Sequence, residues 1–106
     1  MPDMITIHLR YVIDPCKLDE FEEYGRRWIT LVNRFGGQHL GYFMPSEGAN
    51  NIAYALFNFP SLAKYEAYRK ASKADPDCAS TMALAERSRC ILSFERTFLR
   101  PSLDGI

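Results

Sequence analysis

Apolar and polar residues alternate over residues 4–13, MITIHLRYVI. This two-residue period predicts a strand, because successive side chains of a strand point to opposite faces. One face is apolar and the other is mixed: Ile5, Ile7, Leu9, Tyr11 and Ile13 against Thr6, His8, Arg10 and Val12. The same period predicts further strands over residues 37–44, 51–59 and 90–99. The segment 51–59, NIAYALFNF, is apolar on both faces, which is typical of a central strand.

Three other segments repeat apolar residues every three or four positions, as an amphipathic helix does. They cover residues 17–37, 62–74 and 77–88. The pair Gly36–Gly37 ends the first helix, because glycine accepts the left-handed conformation that a C-cap needs. Ser61 is a suitable N-cap for the second helix. The pair Asp75–Pro76 offers the third helix a cap and a first-turn proline.

The predicted order of elements is β-α-β-β-α-α-β, which is the split βαβ pattern of the ferredoxin-like fold. We therefore expect one α+β domain over residues 1–106, with a four-stranded antiparallel sheet and the helices on one sheet face. Helices on one face leave the other face of the apolar central strand in water, and soluble monomers avoid apolar patches of that size. We expect a second copy to cover this face in an isologous homodimer.

Several segments resemble the NIPSNAP family in their order along the chain: LRYVIDPCKLDEFEEY, GQHLGYF, GANNIAYALFNFPSLAKYEAYRKASKADP and FERTFLRP. The resemblance spans residues 5–101 and implies a dimeric α+β barrel, in which two ferredoxin-like sheets face each other. The chain departs from the family at Phe43 and Cys78, where tryptophan is common. The resemblance implies no single activity, since the wider superfamily includes cofactor-free monooxygenases, isomerases, haem enzymes and stress proteins.

Charge and cysteine content narrow the choice of partners and compartment. The 13 basic and 13 acidic residues cancel, so the chain has no net field to attract nucleic acid or an anionic membrane, and we expect neither as a partner. The start of the sequence has no signal-peptide pattern. The three cysteines form no C-x-x-C motif, which favours reduced thiols in the cytoplasm. We expect no cofactor.

His8, Arg10 and Glu95 are the candidate catalytic residues. His8 and Arg10 share the mixed face of the first strand, and Glu95 lies on the mixed face of the last strand, which is expected to run beside the first. A histidine with a nearby carboxylate can act as a general base. The alternative is a polar cluster at the dimer interface, in which Arg10 and Glu95 pair and fix the register.

Five aromatic residues are candidates for binding a ligand: Tyr11, Tyr24, Trp28, Tyr65 and Tyr68. They lie on or beside the predicted inward faces of the first strand and the first two helices, so they can line a cleft between helices and sheet. Such a cleft, apolar with a few hydroxyls, suits a small aromatic ligand, although ordinary core packing gives the same pattern. His39 is the second histidine, and two histidines on separate strands are too few for a metal site.

Two functions stay open at this point. The first is a small homodimeric barrel that binds a small apolar or aromatic ligand, or a protein partner. The second is a cofactor-independent monooxygenase or isomerase that acts on a small aromatic or quinone-like substrate, with His8 or a cleft tyrosine moving the proton. A cavity between the helices and the sheet, with His8, Arg10 or a tyrosine hydroxyl reaching into it, would favour the enzyme, and a solid core would exclude it.

Overall fold

The computed structural model describes residues 4–102, which form one α+β unit; the first three and last four residues of the predicted domain lie outside this range. Four strands and three helices follow one another as predicted. Their bounds are β1 Ile5–Ile13, α1 Leu18–Arg34, β2 Gln38–Phe43, β3 Ile52–Phe59, α2 Leu62–Ser72, α3 Pro76–Ser88 and β4 Ile91–Leu99. A 3₁₀ turn over Pro15–Lys17 leads from β1 into α1.

The sheet has the strand order β2-β3-β1-β4, and each neighbouring pair is antiparallel. β1 and β3 are the central strands, and β2 and β4 are the edges. This is the ferredoxin-like arrangement, and the predicted fold class is confirmed.

One face of the sheet is covered by the helices and holds the core. Phe57 and Phe59 of β3 point to this face, as do Ile7 and Tyr11 of β1, and they pack against the fully buried Phe21 of α1. The other face, here called the open face, carries the residues that alternate with them on the central strands. Its apolar and aromatic members include Val12, Ile52, Tyr54 and Leu56, and Phe43 of β2 joins them. Phe43 and Tyr54 are 50% and 38% exposed.

Both edge strands contain a bulge that breaks strict alternation. In β2, His39 pairs with Phe57 and Gly41 pairs with Leu56, so Leu40 is an extra residue. Gly41 has a φ of +125°, which favours glycine. In β4, Leu92 is the extra residue, and it is 62% exposed. The pairing between β1 and β4 shifts by one residue at this bulge.

The three predicted signals lie at helix ends: Gly36–Gly37 follows α1, Ser61 caps α2 and Asp75 caps α3. The Asp75 carboxylate caps α3 by accepting a hydrogen bond from the backbone N–H of Cys78 at 3.0 Å. The guanidinium of Arg34, in the last turn of α1, bridges the carboxylates of Asp75 and Asp77 at 2.8 and 2.9 Å. These contacts tie the end of α1 to the start of α3. No helix within residues 4–102 is long and apolar enough to cross a membrane.

Candidate functional site

A cavity of about 540 Å³ lies between the helices and the sheet. Aromatic side chains dominate its wall, and all five predicted ligand-binding residues are among them: Tyr11, Tyr24, Trp28, Tyr65 and Tyr68. Phe94 and Arg96 of β4 are exposed residues of the cavity wall. The size falls within the range of small-molecule sites. Ligand binding by these residues stays a prediction.

The hydroxyls of Tyr11, Tyr24 and Tyr42 form a cluster in this wall. Burial raises the pKa of Tyr11 above its usual range, and the neighbouring Tyr24 raises it further, while the Tyr42 hydroxyl and Arg96 lower it. Burial is also the main cause of the raised pKa values of Tyr24 and Tyr42. The three phenols are therefore neutral at physiological pH. They can donate hydrogen bonds to a ligand, but they are poor general bases.

His39 stacks in the same wall, between the rings of Tyr42 and Phe57, with centroid distances of 5.2 and 5.3 Å. Its Nδ1 accepts a hydrogen bond from the backbone N–H of Gly41 at 2.9 Å. Nδ1 is thus the unprotonated nitrogen, and Nε2 carries the hydrogen. Burial lowers the pKa of His39 to about 4. The imidazole is therefore neutral near pH 7, and its Nε2–H is the group that can donate a hydrogen bond.

Two buried ring N–H groups of the cavity wall have no hydrogen-bond partner within residues 4–102: Nε1 of Trp28 and Nε2 of His39. The indole N–H of Trp28 lies near the Tyr24 hydroxyl and lowers the pKa of that phenol, but it does not reach normal hydrogen-bond geometry. Tyr24 Oη instead makes a weak contact with Met82 Sδ at 3.9 Å. Unpaired buried donors are costly, so this part of the wall is suited to a group that accepts hydrogen bonds.

The charged residues of the cavity wall are three cations and one carboxylate: Arg69, Lys73 and Arg96 against Glu86. The guanidinium of Arg69 donates to the Tyr65 hydroxyl at 3.2 Å. The guanidinium of Arg96 lies 5.7 Å from the centroid of the Phe94 ring. Arg96 takes part in none of the ion pairs found within residues 4–102.

The three candidate catalytic residues lie elsewhere. His8, Arg10 and Glu95 are on the open face, on the opposite side of the sheet from the cavity. Arg10 and Glu95 are directly opposite each other on β1 and β4, but the ion pairs found within residues 4–102 do not include one between them. His8 packs against Tyr54, with a centroid distance of 5.4 Å. The structure therefore does not bring His8 together with the tyrosines of the cleft, and this removes the proton path in which His8 serves a ligand in that cleft.

Sequence reasoning missed three functional groups of the cavity wall: His39 as a donor, Tyr42 and Arg96. The bulge in β2 hid the first two, because it puts His39 and Tyr42 on the same face although they are three residues apart. A signal for Arg96 was present, since alternation places this charge on the same face as Phe94 and Phe98. Within residues 4–102, no three His, Cys, Asp or Glu side chains group closely enough to hold a metal ion.

Comparisons with known proteins agree with this fold. A NIPSNAP family protein from Agrobacterium tumefaciens superposes with a TM-score of 0.80 at 22% identity, covering 96% of this chain and 89% of that one. A NIPSNAP-like domain protein from Burkholderia xenovorans gives a TM-score of 0.77 at 20% identity, covering 96% and 88%. SnoaB, a cofactor-independent oxygenase from Streptomyces nogalater, gives 0.67 at 13% identity, covering 95% of each chain. At these identities the likeness concerns the fold alone.

A search of curated proteins finds no significant match. The NIPSNAP family model, in contrast, matches residues 8–103, which is nearly all of the described chain. The resemblance predicted from the sequence is therefore confirmed, and the chain belongs to the NIPSNAP family.

Proposed function

We propose that this NIPSNAP protein binds a small, flat aromatic ligand in the cavity between its helices and its sheet. The observation that carries the proposal is the composition of the cavity wall. Aromatic rings line a space of about 540 Å³, and a few polar groups converge on it: the hydroxyls of Tyr11, Tyr24 and Tyr42 and the ring of His39. Apolar walls with a few converging polar groups are typical of small-molecule sites.

Trp28 provides the assay, because it is the only tryptophan of the chain and it lines the cavity. A ligand in the cavity changes the emission of Trp28. Fluorescence titration with neutral aromatics such as naphthalene derivatives and substituted quinones should give saturable curves with a stoichiometry of one ligand per chain.

Two matched variants locate the binding. Ala79 is an exposed residue of the cavity wall on α3, so the larger ring of Ala79→Phe should reduce the space for a ligand and abolish the titration. Ala67→Phe adds the same ring at an exposed position of α2 that does not line the cavity, and it should bind like the original chain. If no aromatic ligand binds, or if both variants bind equally well, the proposal is wrong.

We also propose that a second copy of the chain covers the open face, giving the dimeric barrel expected from the sequence. Exposed aromatic surface at Phe43 and Tyr54 supports this. Phe43→Glu should turn the dimer into a monomer in light scattering, whereas Leu62→Glu, at an exposed leucine on the helical side, should leave it intact. A monomeric original chain at micromolar concentration contradicts this.

A second candidate function is a cofactor-independent monooxygenase or isomerase for a small aromatic or quinone-like substrate. The cluster of neutral phenols favours it to a lesser degree, since such donors can stabilise a negative oxygen that develops on a bound substrate. The reaction would need a substrate that is already ionised, because the phenols and His39 are poor bases. Oxygen consumption or isomer formation with ligands found by titration tests this activity.

The free thiols of Cys16, Cys78 and Cys90 support a cytoplasmic location.

A further inference from the structure

The polar groups of the cavity wall are mainly hydrogen-bond donors. The phenols of Tyr11, Tyr24 and Tyr42 keep their protons, because burial raises their pKa values. His39 uses its unprotonated Nδ1 on the backbone N–H of Gly41, so only its Nε2–H remains. A ligand atom that meets this wall therefore has to accept hydrogen bonds.

The charged side chains around the cavity are mainly positive, which favours a ligand with a negative charge. Arg96 follows Phe94 by two residues on the cavity side of β4, where Phe94 pairs with Tyr11 of β1, and its charge lowers the pKa values of both Tyr11 and Tyr24. Its own element, β4, brings no carboxylate to this face, because Glu95 points to the open face. The helices add Arg69 and Lys73 from α2 and only Glu86 from α3. The groove that adjoins the cavity repeats the pattern, with Arg69, Lys70 and Lys73 against Glu66.

An anion that binds beside a guanidinium forms charge-assisted hydrogen bonds, which are stronger than those between neutral groups. Within residues 4–102 Arg96 has no ion-pair partner, so its charge is available to a ligand. The chain as a whole is neutral. The excess of positive over negative side chains in the cavity wall is therefore a local property of the site.

From this arrangement we infer that the cavity selects aromatic ligands that carry an anionic oxygen, such as a phenolate or an aromatic carboxylate. Arg96 pairs with that oxygen, the hydroxyls of Tyr11 and Tyr24 donate to it, and the aromatic rings hold the ligand's ring system. This inference rests on the proposed function and specifies the ligand class of the same site.

The test uses 2-naphthoate and 2-naphthamide, which have nearly the same shape but differ by one negative charge. Titration of Trp28 fluorescence on the full chain gives both dissociation constants. We expect naphthoate to bind roughly 10- to 100-fold more tightly than naphthamide, because hydrogen bonds to a charged group contribute more binding free energy than those to a neutral amide. Arg96→Gln should remove this preference while it leaves naphthamide binding unchanged, and Arg96→Lys should restore much of it. Arg87→Gln, at an exposed position of α3 outside the cavity, is the matched charge control.

The outcomes separate the inference from the proposed function. Equal affinity for the two ligands overturns the inference and leaves aromatic binding intact. An Arg96→Gln variant that weakens both ligands equally also overturns it, since the guanidinium would then act on the shape of the cavity and not on charge. Binding of neither ligand refutes both proposals. Thermal melts of each variant show whether it is folded, and Arg96→Lys supplies a second reading if Arg96→Gln is unstable.

Discussion

Gly25 of α1 allows the helix to lie directly on the ring of Tyr42, and replacing it with alanine tests this packing. A Cβ at position 25 would lie 2.7 Å from Tyr42 Cγ, 2.9 Å from Cδ2 and 3.0 Å from Cδ1. Because ordinary carbon–carbon contacts are about 3.5–4.0 Å, one of the two elements has to move by about 1 Å. The contacts are at the end of the ring attached to the backbone, so rotation of the tyrosine side chain does not relieve them.

Two opposing effects set the magnitude. Alanine is favoured over glycine inside a helix by about 1 kcal/mol, whereas overpacking a filled site costs about 1–3 kcal/mol. We expect Gly25→Ala to lower the free energy of unfolding by about 1 kcal/mol, which corresponds to a fall in Tm of about 4–8 °C for a domain of this size. Urea denaturation and thermal melts followed by circular dichroism measure both quantities.

The decisive control is the same substitution in a Tyr42→Ala background. Without the ring the clash is absent, so only the helix propensity remains, and Gly25→Ala should raise the free energy of unfolding by about 1 kcal/mol. This change of sign identifies Tyr42 as the cause. The reasoning is refuted if Gly25→Ala stabilises the original chain, or if its effect is the same in both backgrounds.

Three further predictions follow from individual residues. Burial lowers the pKa of His39 from 6.5 to about 4, so the unfolded chain takes up this proton first and the stability of the fold decreases as the pH drops from about 6.5 towards 4. The urea midpoint of His39→Phe should decrease less over this pH range than that of the original chain, and an identical pH dependence contradicts the assignment. Burial raises the pKa of the Cys78 thiol to about 11, so iodoacetamide at about pH 8 should alkylate the exposed Cys16 well before Cys78. Mass spectrometry of the digested chain measures the two alkylation rates, and equal rates would contradict this prediction. Arg89 ends α3 with a φ of +56°, a conformation that glycine adopts more easily than arginine, so Arg89→Gly should raise the free energy of unfolding by roughly 0.5–1 kcal/mol. The control Arg87→Gly lies inside the helix and should lower the free energy of unfolding, and a loss of stability in Arg89→Gly would refute the account.

The sequence predicted the strands and helices because most of each element follows one simple period, even though a bulge interrupts β2 and β4. Alternation in β1 correctly separated Tyr11 from His8 and Arg10. The aromatic residues of the two main helices were correctly expected to face inward, which is why Tyr65 and the other four candidates meet at one cavity.

Alternation could not reveal which side chains change face at a bulge, because the extra residue leaves the local sequence pattern unaltered. Strict alternation puts His39 and Tyr42 on opposite faces, whereas the extra Leu40 brings both to the cavity. Nor could the sequence indicate which face of the sheet the helices cover, since β3 is apolar on both. Phe57 turned out to face the helices and Tyr54 the open side.

The bulges in β2 and β4 also affect how the chain can aggregate. An edge strand has unpaired backbone N–H and C=O groups that can pair with an edge of another molecule and extend the sheet without limit. Here each edge is interrupted by an extra residue, Leu40 in β2 and Leu92 in β4. An incoming strand would find its hydrogen-bonding partners out of step after a few residues. Open-ended sheet growth is therefore disfavoured at both edges.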